Sequence, residues 1–169
     1  MKRVILLALA AANLTACGQP EPRPKKETAA APAVKPDTPG PTPSAPIWAG
    51  PYMGKILTEL PQSVACIGNT DGVPNRYAGP PAGAAIGGWG WDTGALRRIE
   101  RVLITDESRK VIGAGDGGFQ RLDVPRAQPQ IKDERTGWRG YAPAVRGLVM
   151  AYGFVDGGAA LCPLGEIEL

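Results

Sequence analysis

Between Gly72 and Gly94 the chain carries ten glycines and prolines, a density that forbids a long helix there. In a helix interior each glycine costs about 1 kcal/mol relative to alanine and each proline about 3 kcal/mol. That stretch must be built from extended segments and turns. The same two residue types divide the rest of the 169-residue chain: residues 18–47 hold nine of the eighteen prolines, and residues 48–169 hold twenty-one of the twenty-three glycines. Three regions follow: a leader at 1–16, a proline-rich segment at 17–47 and a glycine-rich domain at 48–169.

In the third region short β-like runs are separated by Gly, Pro and Asn/Asp signals. The runs are Lys55–Leu60, Ser63–Ile67, Ala84–Trp91, Arg98–Thr105, Lys110–Gly113, Trp138–Ala142, Leu148–Val155 and Ala159–Cys162. Asn69–Gly72, Asp106–Arg109 and Asp156–Gly158 read as turns. Thr93–Leu103 fits a helical period as well as a strand period, so a helix competes there. Short strands with frequent turns predict an all-β fold, an antiparallel β-sandwich or small barrel.

Lys2 and Arg3 precede an apolar run of nine residues, Val4–Ala12. The run is far short of the roughly twenty residues a spanning helix needs, and it matches the apolar region of a secretory signal. Leu14-Thr15-Ala16-Cys17 then resembles the lipobox of bacterial lipoprotein signal peptides: an aliphatic residue, two small residues and a cysteine. The resemblance implies cleavage after Ala16, a diacylglyceryl thioether on Cys17 and an acyl group on the new amino terminus. Its partner would be the lipid bilayer, since each buried methylene adds about 0.8 kcal/mol and several acyl chains together hold firmly. Gly18 follows, not the Asp associated with inner-membrane retention. In a Gram-negative cell that points to the periplasmic face of the outer membrane.

Residues 18–46 have few large apolar side chains and a proline every three or four positions. Such a segment cannot offset the entropy of ordering and predicts a disordered tether of polyproline II character, reaching roughly 90 Å at most. Charge is uneven too. The leader carries +2 and residues 18–47 carry four basic against three acidic residues, whereas residues 48–169 carry thirteen of each. A neutral domain argues against nucleic acid as a partner, because phosphate neutralisation needs clustered Lys and Arg. The chain has no histidine, which removes imidazole bases, Ser-His and Cys-His pairs and imidazole metal ligands. No metal-ligand set and no cofactor motif is present in the sequence.

Cys66 and Cys162 remain once Cys17 is acylated. On a secretory route an even count points to one disulfide, closing a loop of roughly 97 residues for on the order of 4–5 kcal/mol. Two buried thiols or a redox pair are the alternatives, although there is no Cys-x-x-Cys. In order, Cys66–Asn75, Gly87–Asp92, Val102–Asp106, Arg121–Val124, Thr136–Tyr141 and the late Cys162 resemble uncharacterised extracytoplasmic all-β domains. Those domains are appended to bacterial cell-surface and polysaccharide-related membrane proteins. The resemblance spans about residues 64–163. It implies the β fold and the paired cysteines, and it brings no catalytic residues.

Trp89 and Trp91 stand two apart and would share one face of a strand. Exposed, they would form a sugar platform, with Asp92 or Arg139 bonding hydroxyls. Buried, they are core, and the adjacent glycines allow close packing. Asp106-Glu107 and Asp133-Glu134 are the carboxylate pairs a hydrolase would need, but both sit in polar turn sequence where nothing separates their pKa values. The expected role is therefore non-enzymatic: a membrane-anchored envelope lipoprotein whose domain is structural or binds an envelope protein. A glycan-binding module using Trp89 and Trp91, and a carboxylate-dependent hydrolase, are the alternatives.

Overall fold

The computed structural model describes residues 38–58 and 61–169; the signal segment, Cys17 and the tether through residue 37 lie outside the described residues. Among the described residues there are eight strands: β1 (Cys66–Tyr77), β2 (Gly83–Asp92), β3 (Arg97–Arg98), β4 (Arg101–Thr105), β5 (Val111–Phe119), β6 (Gly137–Ala142), β7 (Leu148–Val155) and β8 (Ala160–Glu168). One short helix, α1 (Asp123–Ala127), lies between β5 and β6. All eight strands belong to one antiparallel sheet in the order β1-β2-β6-β5-β4-β7-β8, with β3 paired to β2 off this path. The sheet curls until its edge strands β1 and β8 meet, so the domain is a nearly closed barrel.

Side-chain alternation sorts residues between the inside and the outside of the wall. Along β7, Val149, Ala151 and Val155 point into the barrel beside Val102, Ile104, Trp138 and Leu164. Met150, Tyr152 and Phe154 point outward and join a second cluster with Ala49, Leu57, Leu103 and Leu161. A third cluster, also on the outer face, holds Trp91, Val124 and Ile131, with Ile67 and Trp89 at its margin. Apolar residues on both faces of strands therefore have a cover.

Residues 38–58 cover the second cluster. Thr38 bridges to Tyr77 at the far end of β1, and Thr42 bonds the Pro81 carbonyl through its backbone N–H (2.8 Å) and its hydroxyl (3.0 Å). A one-turn 3-10 helix at Ile47–Ala49 follows. The strap then reaches the β4–β5 hairpin, where the Leu57 N–H donates to the Arg109 carbonyl. Irregular chain can lie against the sheet in this way because its backbone groups find partners.

Several local expectations change in three dimensions. Asn69–Gly72 is not a turn. It lies inside β1, where register shifts between Thr70 and Gly72 and between Gly72 and Asn75 absorb its turn-forming residues as bulges. The run expected at Lys110–Gly113 is longer, continuing as β5 to Phe119. Lys55–Thr58 contributes one isolated bridge at Ile56 instead of a strand. Thr93–Leu103 is not helical: the Asp92 carboxylate accepts the Gly94 and Ala95 N–H groups (3.0 and 2.9 Å). Those bonds close a turn that sends the chain back along β2 as β3. The Gly-Gly-Trp-Gly-Trp run of β2 has a packing reason as well. A Cβ built on Gly88 would lie 2.8 Å from the ring of Trp138 inside the barrel, so glycine leaves the room that the indole fills.

Cys66 on β1 and Cys162 on β8 face each other where the barrel closes, with their sulfurs in bonding contact and their Cα atoms 6.2 Å apart. That separation is within the span a disulfide bridges. Replacing both by Ser is expected to lower the unfolding free energy by on the order of 4–5 kcal/mol, the loop-closure entropy of so long a loop. Urea titration of the parent and the double variant measures this, and coincident midpoints would show that the pair does not hold the seam.

Candidate functional site

The sequence-predicted site residues do not assemble into one site. Trp91 is 8% exposed and packs under Val124 and Ile131, while Trp89 is half-buried at the edge of the same cluster. The two indoles do share the outer face of β2, but α1 and the loop after it cover that face. Asp92 is 1% exposed. Its two oxygens are occupied by the backbone N–H groups of Gly94, Ala95 and, at 3.4 Å, Asp156. Neither Trp91 nor Asp92 is left with surface for a ligand. Arg139 is exposed on β6 opposite Gly87, its guanidinium 5.2 Å from the Phe119 ring centre. It borders a shallow groove of about 380 Å³ that also contains Arg121 and Asp71.

Arg121 holds that groove's rim. Its Nε and Nη2 donate to the two oxygens of Asp123 (2.8 and 2.6 Å), and its Nη1 pairs with Asp71 on the β1 bulge. The Asp123 pairing comes first in raising the Arg121 pKa above its usual range. In return, the Arg121 guanidinium holds the Asp123 carboxyl well below its ordinary value, at about 2. The Arg-Leu-Asp segment is thus a brace that ties the start of α1 to β1.

The aspartate of each carboxylate pair is likewise engaged in local structure, and Glu107 accepts the Leu148 N–H at 3.3 Å. Asp106 accepts from the Ser108 hydroxyl (2.6 Å) and the Lys110 N–H (3.0 Å), shaping the β4–β5 hairpin; the Ser108 bond leads in lowering its pKa. Asp133 accepts from Arg98 at 3.3 Å.

A larger cleft, about 420 Å³, lies where three segments meet. The strap supplies Trp48 and Tyr52, β7 supplies Phe154, and β3–β4 supply Arg97, Arg98 and Arg101. The aromatic wall is built by edge contacts: Trp48 meets Phe154 at 5.9 Å and 83°, and Tyr52 meets Phe154 at 5.3 Å and 58°. Such tilted pairs each add roughly 0.5–1.5 kcal/mol beyond area burial. The Trp48 indole N–H donates to Asp116 (2.9 Å) and so fixes its ring to β5. The Arg101 guanidinium lies 5.4 Å from the Trp48 ring centre, within cation–π range. Arg98 is held between Glu100 (3.4 Å) and Asp133 (3.3 Å).

None of these six residues stood out as a site in the sequence. Trp48 and Tyr52 sit at the edge of the proline-rich segment, outside any strand pattern. The Arg97-Arg98-Ile99-Glu100-Arg101 run was the available signal, a local cationic excess in a domain of zero net charge.

Among the described residues no group of three or more His, Cys, Asp or Glu side chains could hold a metal ion, and no helix is long and apolar enough to cross a membrane. Comparison with known protein families, with curated proteins and with solved structures finds no match to this chain.

Two outcomes test these placements. Trp91→Ala is expected to cost about 3–5 kcal/mol in a chemical melt, as for other buried aromatics; a small loss would mean that the cover over β2 opens. Asp123 makes a prediction in pH. Because its folded pKa of about 2 lies below its ordinary value of 3.8, its contribution to stability is present above the ordinary value and lost as pH falls through the folded one. The difference in urea midpoint between parent and Asp123→Asn should therefore be constant near neutrality and shrink between about pH 4 and pH 2. A difference that stays constant down to pH 2 would show that the Arg121 brace does not act through the Asp123 charge.

Proposed function

We propose that this chain is a lipid-anchored envelope lipoprotein whose barrel is a tethered binding module. One observation carries the anchoring: Leu14-Thr15-Ala16-Cys17 directly after the nine-residue apolar run and its basic start. The proline-rich segment that follows suits a tether, which raises the effective concentration of a domain near its partner without adding contacts. The arginine–aromatic cleft supports the binding half. Aromatic walls with a few convergent polar groups are typical of ligand sites, whereas Asp106, Glu107 and Asp133 are engaged in a turn, a backbone contact and an ion pair. A glycan-binding role belongs to the same reading, with Trp48, Tyr52 and Phe154 now better placed for it than Trp89 and Trp91.

Cys17→Ser tests the anchor. The variant is expected to accumulate as an uncleaved precursor without the mass of the acyl groups. A variant that matures to the parent's mass and remains with membranes would overturn the lipoprotein reading.

A further inference from the structure

We infer that the cleft among Trp48, Phe154 and the β3–β4 arginines binds an acidic sugar ring, one bearing a carboxylate or a phosphate. This rests on reading the domain as a binding module and names the chemical class of its ligand.

The cleft combines two kinds of surface. Trp48, Tyr52 and Phe154 are each half-buried, so part of every ring is packed and part faces the cleft. Their edge-on pairing makes a rigid, non-planar apolar wall, suited to the C–H face of a pyranose. The cationic side is uneven. The charge of Arg98 is matched by Glu100 and Asp133, whereas Arg97 and Arg101 have no salt-bridge partner among the described residues and are exposed. Two guanidinium forks therefore border the apolar wall, and a guanidinium matches the paired oxygens of a carboxylate or phosphate better than any neutral group. A purely apolar ligand would desolvate those cations without pairing them, which is unfavourable. A nucleic acid would need an extended cationic track, and the domain's thirteen basic residues are balanced by thirteen acidic ones. The volume, about 420 Å³, lies at the small end of ligand sites and suits a short segment of saccharide.

Titration calorimetry on the full chain in detergent, with trigalacturonate, maltotriose and inorganic phosphate as probes, tests this. Trigalacturonate is expected to bind, and to bind more weakly as salt is raised. Maltotriose and inorganic phosphate are each expected to bind at least about tenfold more weakly, since each offers only one of the two complementary surfaces. The double variant Arg97→Gln/Arg101→Gln, both positions being exposed, should keep the parent's melting temperature and lose about tenfold in trigalacturonate affinity. Trp48→Phe keeps a ring at the wall and should retain most binding, while Trp48→Ala should not. Equal affinity for maltotriose and trigalacturonate overturns the acidic class. So does inorganic phosphate binding as tightly as trigalacturonate and insensitive to Trp48→Ala. If no probe binds, the sugar proposal fails. A photo-crosslinking residue at position 158 in intact envelopes then separates the two readings. A cross-linked adduct lost in the double variant would leave a binding module with a different ligand, and no adduct would remove the module reading as well.

Discussion

The seam between β1 and β8 poses a geometric problem on which the rest of the domain depends. Seven strands taken alternately antiparallel leave the first and the last running in the same direction. Their edges meet with a mismatch that no continuation of the antiparallel ladder can repair. Open edges expose unpaired backbone groups and would let water reach the interior. Here a parallel bridge, Gln62 to Leu161 just before β1, joins the edges. Its bonds run from the Ser63 N–H to the Leu161 carbonyl (2.7 Å) and from the Leu161 N–H to the Pro61 carbonyl (2.8 Å). Side chains close the rest. The Cys66–Cys162 pair spans the two strands, and the buried Thr70 hydroxyl donates to the Leu164 carbonyl at 3.0 Å. Gly68 lets the strands approach, since a Cβ there would lie 2.6 Å from a Leu164 methyl. With the seam shut, Trp138, Ile104 and Leu164 form a buried interior; with it open, they would line a trough.

The barrel wall is apolar on its outside too, which explains why the domain includes irregular chain on either side of its strands. The strap of residues 38–58 covers Leu103, Tyr152 and Leu161, and α1 with the loop behind it covers Trp91. Both covers are held by backbone hydrogen bonds and ion pairs more than by secondary structure of their own. The strap also turns the end of a proline-rich segment into a wall of the candidate site, because it carries Trp48 and Tyr52. The part of the chain that joins the domain to its proposed anchor is thus also part of the surface that would meet a ligand.

The fold class was legible in the sequence because it depends on local chemistry. Leu148–Val155 alternates apolar side chains that need two different environments, and it forms β7 with the expected bounds. The glycine and proline density between Gly72 and Gly94 ruled out a helix, and β1 and β2 occupy most of that stretch. Bulges were not legible. Asn69-Thr70-Asp71-Gly72 has turn-forming composition, but an adjacent strand and the Arg121–Asp71 pair make an extended, kinked path more stable there. The exposure of Trp89 and Trp91 was not legible either. It depends on whether Val124 and Ile131, more than thirty residues later, fold back over β2, and nothing in the tryptophan motif records that. The cleft was hidden for the same reason, since its aromatic wall and its cations come from segments about fifty and one hundred residues apart that the β4–β7 pairing and the strap across them bring together.

Asp92 shows how one buried carboxylate can hold two loops together. It is buried at the end of β2, and its two oxygens accept backbone N–H groups from both sides of the cleft: Gly94 and Ala95 in the turn leading to Arg97, and Asp156 in the turn between β7 and β8. A buried carboxylate is costly unless its lone pairs are satisfied, and here the groups that satisfy it belong to two loops that must hold a fixed spacing. The electrostatic requirement of one side chain therefore ties the turn before β3 to the turn between β7 and β8. Loops fixed in advance lose less freedom when a ligand arrives. The sequence expectation for Asp92 was a hydroxyl-bonding residue beside Trp89 and Trp91; the structure shows it buried, with its oxygens turned to the backbone of the two loops that it holds.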